Sequence, residues 1–149
     1  MNPMAFFVGI TLAIAVGGFA RWFGLDRDRA FYPTVMTVIA FYYILFAVMA
    51  APPAVLLVEI AVGAGFIALA MAGFKKSLWL VVAALFAHGV FDLFHAHAIP
   101  HSGAPSWWPE FCSAYDIAAA AFLAFRLKGV GNRELTPDEV QCTQRFPLR

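Results

Sequence analysis

His88, Asp92 and His95 fall at i, i+4 and i+7 in the stretch FAHGVFDLFHAHAIPH, which runs from Phe86 to His101. On an α-helix this spacing puts three side chains on one face. The chain has 4 histidines, and this window holds them all, His97 and His101 included. Three chemistries fit the pattern. Two imidazoles and a carboxylate, completed by an acid from a neighbouring helix, offer the donor types of a zinc-type divalent metal site. The ligand set would be His88, Asp92, His95 and Asp116. Metal-free acid–base chemistry uses the same residue types, with a histidine carrying the proton and a carboxylate setting its tautomer. His88, Asp92, Asp116 and Glu59 would then act. The third reading is structural, with paired polar groups holding helices together in an apolar medium.

The elements that must position these residues are apolar. The chain of 149 residues is 62% hydrophobic and 13% charged, with a mean hydropathy of +0.78. A soluble domain is about half apolar and a quarter charged, so the composition is that of an all-α integral membrane protein. Five apolar segments cover residues 3–19, 31–50, 53–74, 77–97 and 107–127. Each is about 17 to 22 residues, enough to cross a bilayer core of about 30 Å as a helix. Ser106 and Pro109 suit a cap and a first turn for the fifth. Met1 to Ala5 has no basic stretch and no cleavage site follows, so no signal peptide is expected.

The 10 lysines and arginines fix an orientation. With five spans, the first loop, the third loop and the tail share one side. Arg21, Arg27, Arg29, Lys75, Lys76, Arg126, Lys128, Arg133, Arg145 and Arg149 all fall there. The positive-inside pattern then puts the N-terminus outside and the C-terminus in the cytoplasm of a multi-pass inner (plasma) membrane protein.

With that topology the polar residues of the spans lie in one layer of the outer leaflet. Glu59 is about 10 Å below the outer edge, and His88 and Asp116 about 13 Å, at 1.5 Å per residue. Asp92 is shallower, and Thr11, Tyr42 and Tyr43 lie at similar depth. Such groups are costly in lipid and face the bundle interior. Small residues, among them Gly63, Gly65 and Ala118 to Ala121, let helices approach closely enough for them to meet. Cys112, Ser113 and Asp116 share a face of the fifth helix. Cys112 reads as a small buried residue. Gly17-Gly18 follows no strand and reads as helix packing.

Several functions are excluded. The histidines come from one segment, too few for a di-iron membrane hydroxylase and wrongly placed for a haem held by two helices. No span carries a lysine for retinal, and no nucleotide-binding glycine fingerprint is present. A net charge of +1 argues neither for nor against nucleic acid, and no nucleic-acid partner is expected. The His88–Asp92 pair followed by Asp116 resembles the sterol-isomerase (emopamil-binding) group, which pairs a histidine with carboxylates in a small helical bundle. The His-plus-Asp set is also similar to the integral-membrane zinc hydrolases that include the alkaline ceramidases, whose histidines come from separate helices. No residue role follows from either resemblance.

The sequence therefore predicts a five-helix membrane domain over residues 1–128 and a cytoplasmic tail over 129–149. In the tail, Thr136, Pro137 and Glu139 read as a helix start. The expected function is a His/carboxylate cavity in the outer leaflet that takes a metal ion, a lipophilic small molecule or both, with isomerase- or hydrolase-type chemistry as the enzymatic version. The alternative is a non-catalytic structural or assembly subunit of a homo-oligomer or larger membrane complex. Membrane lipid is the one partner common to both.

Overall fold

The computed structural model describes residues 2–131. Five long helices follow one another: α1 (Pro3–Phe23), α2 (Phe31–Ala50), α3 (Pro53–Lys75), α4 (Leu78–Ala98) and α5 (Trp108–Gly131). A short 3₁₀ turn, Leu25–Arg27, links α1 to α2. Four helices, α1 to α4, are long and apolar enough to cross a membrane. That is the construction of a membrane protein. α5 falls short of that apolarity because it carries Glu110, Ser113, Asp116, Arg126 and Lys128. Its Ser113 and Asp116 are buried against other helices. A helix with an inward polar face needs less apolar surface towards lipid.

The packing order is α2–α3–α4–α5–α1. α5 lies between α1 and α4, and α2 also touches α4. The α1 face on α5 is a row of small residues, Gly9, Ala13, Gly17 and Ala20, all buried. This spacing lets two backbones approach closely, which is the main source of helix association in lipid. Gly17 sits on the Phe122 ring, whereas Gly18 faces open space. Met36, Leu85, Val81 and Leu123 fill the core.

Local signals explain the helix ends. Asn2 caps α1 through its side chain, and Ser77 caps α4. α1 runs four residues beyond the apolar stretch, past Arg21, and stops at Gly24 (φ 74°). A left-handed residue there closes the last turn, and glycine adopts it without strain. α5 starts one residue after the sequence reading, with Pro109 in its first turn and Ser106 in the turn before it. At its other end Arg126 pairs with Asp26 of the 3₁₀ turn. This contact brings the first loop and the end of α5 to the same side of the bundle. The tail helix expected from Pro137 lies outside the described residues.

The α4–α5 loop folds back over the end of α2. Gly103 (φ 80°) passes so close to the Phe46 carbonyl and Ala50 that a side chain there has no room. His101 and His97 are exposed at this end, apart from the two buried histidines.

Candidate metal centre

α4 turns one continuous stripe inward: Val81, Ala84, Leu85, His88, Gly89, Asp92 and His95. The i, i+4, i+7 triad therefore lies on the buried face. His88, Asp92 and His95 are each 2% exposed or less. Across the interface, α5 presents Cys112, Ser113 and Asp116, also buried.

Gly89 sets the distance between these helices. A Cβ at this position would lie 3.0–3.1 Å from the Ile117 side chain, Asp116 Cβ and the Ser113 carbonyl. Lacking one, α4 seats directly on α5 beside Asp116. His88 Nδ1 then lies 2.7 Å from Asp116 Oδ2, a buried hydrogen bond. The same nitrogen is 3.5 Å from Asp92 Oδ2, within ion-pair range. The Cys112 thiol donates to Asp116 Oδ2 over 3.9 Å, one helical turn away.

Donor atoms of His88, Asp92, Cys112 and Asp116 all lie within 4.8 Å of one another, and all four residues are buried. The group could hold a metal ion. Nitrogen, sulfur and carboxylate oxygen are the zinc donors. Ligands of a tetrahedral zinc site stand roughly 3.3–3.8 Å apart, given bonds of about 2.0–2.3 Å. Among the described residues, both Asp92 oxygens and Asp116 Oδ1 are buried without a hydrogen-bond partner at full bonding distance, although the Tyr43 hydroxyl and the Cys112 thiol stand near Asp92. Carboxylate oxygens in this state carry a large desolvation cost unless a cation or a donor meets them. Two carboxylates on one imidazole nitrogen also repel each other, and a divalent cation between them removes that repulsion.

His95, expected among the ligands, is placed differently. It sits two turns along α4 from His88, and its Nε2 lies 2.8 Å from Glu59 Oε1 on α3. Both residues are 1% exposed. Glu59 and His95 thus form a second buried pair, across α3 and α4, beside the α4–α5 group. Tyr43 of α2 lies between them: its ring stacks on His95 at 3.9 Å and is 6.0 Å from His88, centroid to centroid. Phe66 packs edge-on to His88 and Phe91 edge-on to His95. These rings wall the polar groups off from lipid.

The polar layer read from the sequence is thus narrower in the fold. Thr11 and Tyr42 do not join it. Thr11 is exposed and returns its hydroxyl to the Phe7 carbonyl, and Tyr42 packs its ring on Trp108. α1 therefore contributes no polar side chain to the centre. Cys112 enters instead, a residue that the sequence presented as packing. The signal for it was its i, i+4 relation to Asp116, which places a soft donor beside a hard one.

Comparison with models of known protein families, with curated proteins and with solved structures gives no match to this chain.

Proposed function

We propose that this chain is a small five-span membrane protein that binds a zinc-type divalent metal ion in its outer leaflet. His88, Asp92, Cys112 and Asp116 are the ligands. The single observation that carries this reading is the buried four-donor group, with all donor atoms within 4.8 Å. Ionisable residues inside spans are costly and mark function by default. Here an imidazole, a thiol and two carboxylates share one point between two helices.

The fifth span is α5. Its 24 residues reach about 36 Å at 1.5 Å per residue, and its polar face is turned into the bundle. The Asp26–Arg126 contact supports one shared side for the first loop and the C-terminal end of α5. With all basic residues on that side, the positive-inside pattern makes it cytoplasmic, and the metal centre then lies near the opposite face.

The His95–Glu59 pair favours a second role in the same layer. It is a complete, self-satisfied pair across two helices, and it fits interhelical glue. On this reading the centre binds metal with α4 and α5, while Glu59 and His95 lock α3 onto α4.

The test is metal analysis of protein purified without a histidine tag. About one zinc-type ion per chain is expected, and loss of it in His88→Ala and Asp116→Ala. Chelation should lower the melting temperature of the wild type and leave that of His88→Ala unchanged, because an ion bound only to the folded state stabilises it by mass action. A wild type free of metal, with a melting point indifferent to chelator, would leave only the structural role.

A further inference from the structure

The metal centre is reached from the lipid side by a groove. α1 packs on α5, and α2 on α3 and α4, so the flanks of α1 and α2 are left facing each other without close contact. Between them lies an apolar cavity of about 720 Å³, floored by the first turns of α5. Val8 and Leu12 form one wall and Val38 the other. All three are about half exposed. The floor includes Cys112, whose thiol bonds to Asp116. The floor of the groove therefore contains one of the four metal ligands.

The dimensions select the occupant. The groove follows α1 from Asn2 to Val16, about 21 Å at 1.5 Å per residue. This exceeds one leaflet's hydrocarbon depth of about 15 Å, half of the bilayer core. An extended hydrocarbon chain parallel to the bilayer normal matches this length and the apolar lining. Trp107 and Trp108 stand at the outer end, where α5 begins, as aromatic side chains do at the headgroup level, and Tyr42 lies deeper in the groove with its ring on Trp108. The Trp108 indole N–H is buried without a hydrogen-bond partner among the described residues. The Trp108 ring itself packs on Tyr42 and Phe46 and lines the groove.

We propose that this groove binds the hydrocarbon chain of one outer-leaflet lipid, with the lipid's oxygen-bearing head at Trp108. Binding of the lipid stands on the groove alone, while its role as the ligand class of the metal centre rests on the metal reading above. Cys112 is the connection between the two. The volume is within the range of about 300–1,000 Å³ usual for small-ligand sites.

The experiment uses the full chain in vesicles of phosphatidylethanolamine and phosphatidylglycerol doped with a phosphatidylcholine that carries a photoreactive diazirine on its acyl chain. After irradiation, adducts are located by mass spectrometry, and metal content is measured on the same samples. Adducts should concentrate on residues 8–16, 34–42 and 107–115. Filling the groove from either wall, by Val38→Trp or Leu12→Trp, should cut them by about tenfold with metal content unchanged. Both positions face outward, so added bulk does not enter the core. Labelling spread as densely over Leu57, Ile60 and Leu69, on the exposed face of α3, would reduce the groove to ordinary lipid contact and overturn the proposal. So would a second copy of the chain cross-linked into the groove. Focused labelling of a wild type that holds no metal would keep the lipid site and remove the metal reading.

Discussion

His88 Nδ1 and Asp116 Oδ2 meet at 2.7 Å across the α4–α5 interface, 28 residues apart in sequence. Everything else in the candidate centre is arranged around that contact. Asp92 approaches the same nitrogen from one turn along α4, and Cys112 approaches the same oxygen from one turn along α5. Two i, i+4 pairs on two helices thus face each other.

This arrangement separates the roles of Cys112 and His95. Cys112→Ala should lower metal occupancy, because it removes one of four donors. His95→Ala should leave metal occupancy near wild type and lower stability instead, since it strands the Glu59 carboxylate. The loss should be roughly 1–3 kcal/mol for a buried partner left unpaired, and nearer 0.6 kcal/mol if the membrane discounts the bond. Metal analysis beside thermal unfolding of both variants reads the difference. Metal lost equally from both would return His95 to the ligand set.

Gly89 offers a test of the interface itself. Gly89→Ala puts a methyl group against Ile117, Asp116 and the Ser113 carbonyl. The helices must part by a few tenths of an ångström, and overpacking of this kind costs about 1–3 kcal/mol. Because the His88–Asp116 contact is its neighbour, metal affinity should fall as well, although no ligand has been changed. An unaltered metal affinity would show that α4 and α5 can shift here without disturbing the centre.

The Asp26–Arg126 pair joins the first loop to α5. The Asp26 side chain is fully buried and that of Arg126 only 22% exposed, so the pair is largely shielded from solvent. Asp26→Asn should cost roughly 3–5 kcal/mol, the range for a buried pair that loses one partner. The double variant Asp26→Asn with Arg126→Gln should cost less than the sum of the singles, the signature of a direct contact. Strict additivity in denaturation would mean that the two ends are not in contact.

Topology can be read with reporters. A fusion after Arg149 should report the cytoplasm, and an insertion between His101 and Ser106 the opposite side. The same side for both would remove α5 from the spanning set, and the reverse sides would overturn the orientation.

The sequence alone determined the helices and the inward face of α4. Long apolar segments have no stable state in lipid but a helix, because every backbone group must be paired within the segment. The observed bounds of α2, Phe31–Ala50, coincide with its apolar run. The periodicity of a helix likewise placed His88, Asp92 and His95 on one face before any neighbour was known. Which neighbour each of them would meet was a different matter. Depth along the bilayer is fixed by rise per residue, but rotation about each helix axis, and the order of the helices around the bundle, depend on packing between distant segments. A polar group at the right depth can therefore face inward, as Asp116 does, or outward, as Thr11 does. Only the tertiary structure paired His95 with Glu59, brought Cys112 into the donor group and left α1 and α2 apart. The cause lies in small residues: Gly89 lets α5 come close to α4, and the row from Gly9 to Ala20 holds α1 on α5 and away from α2.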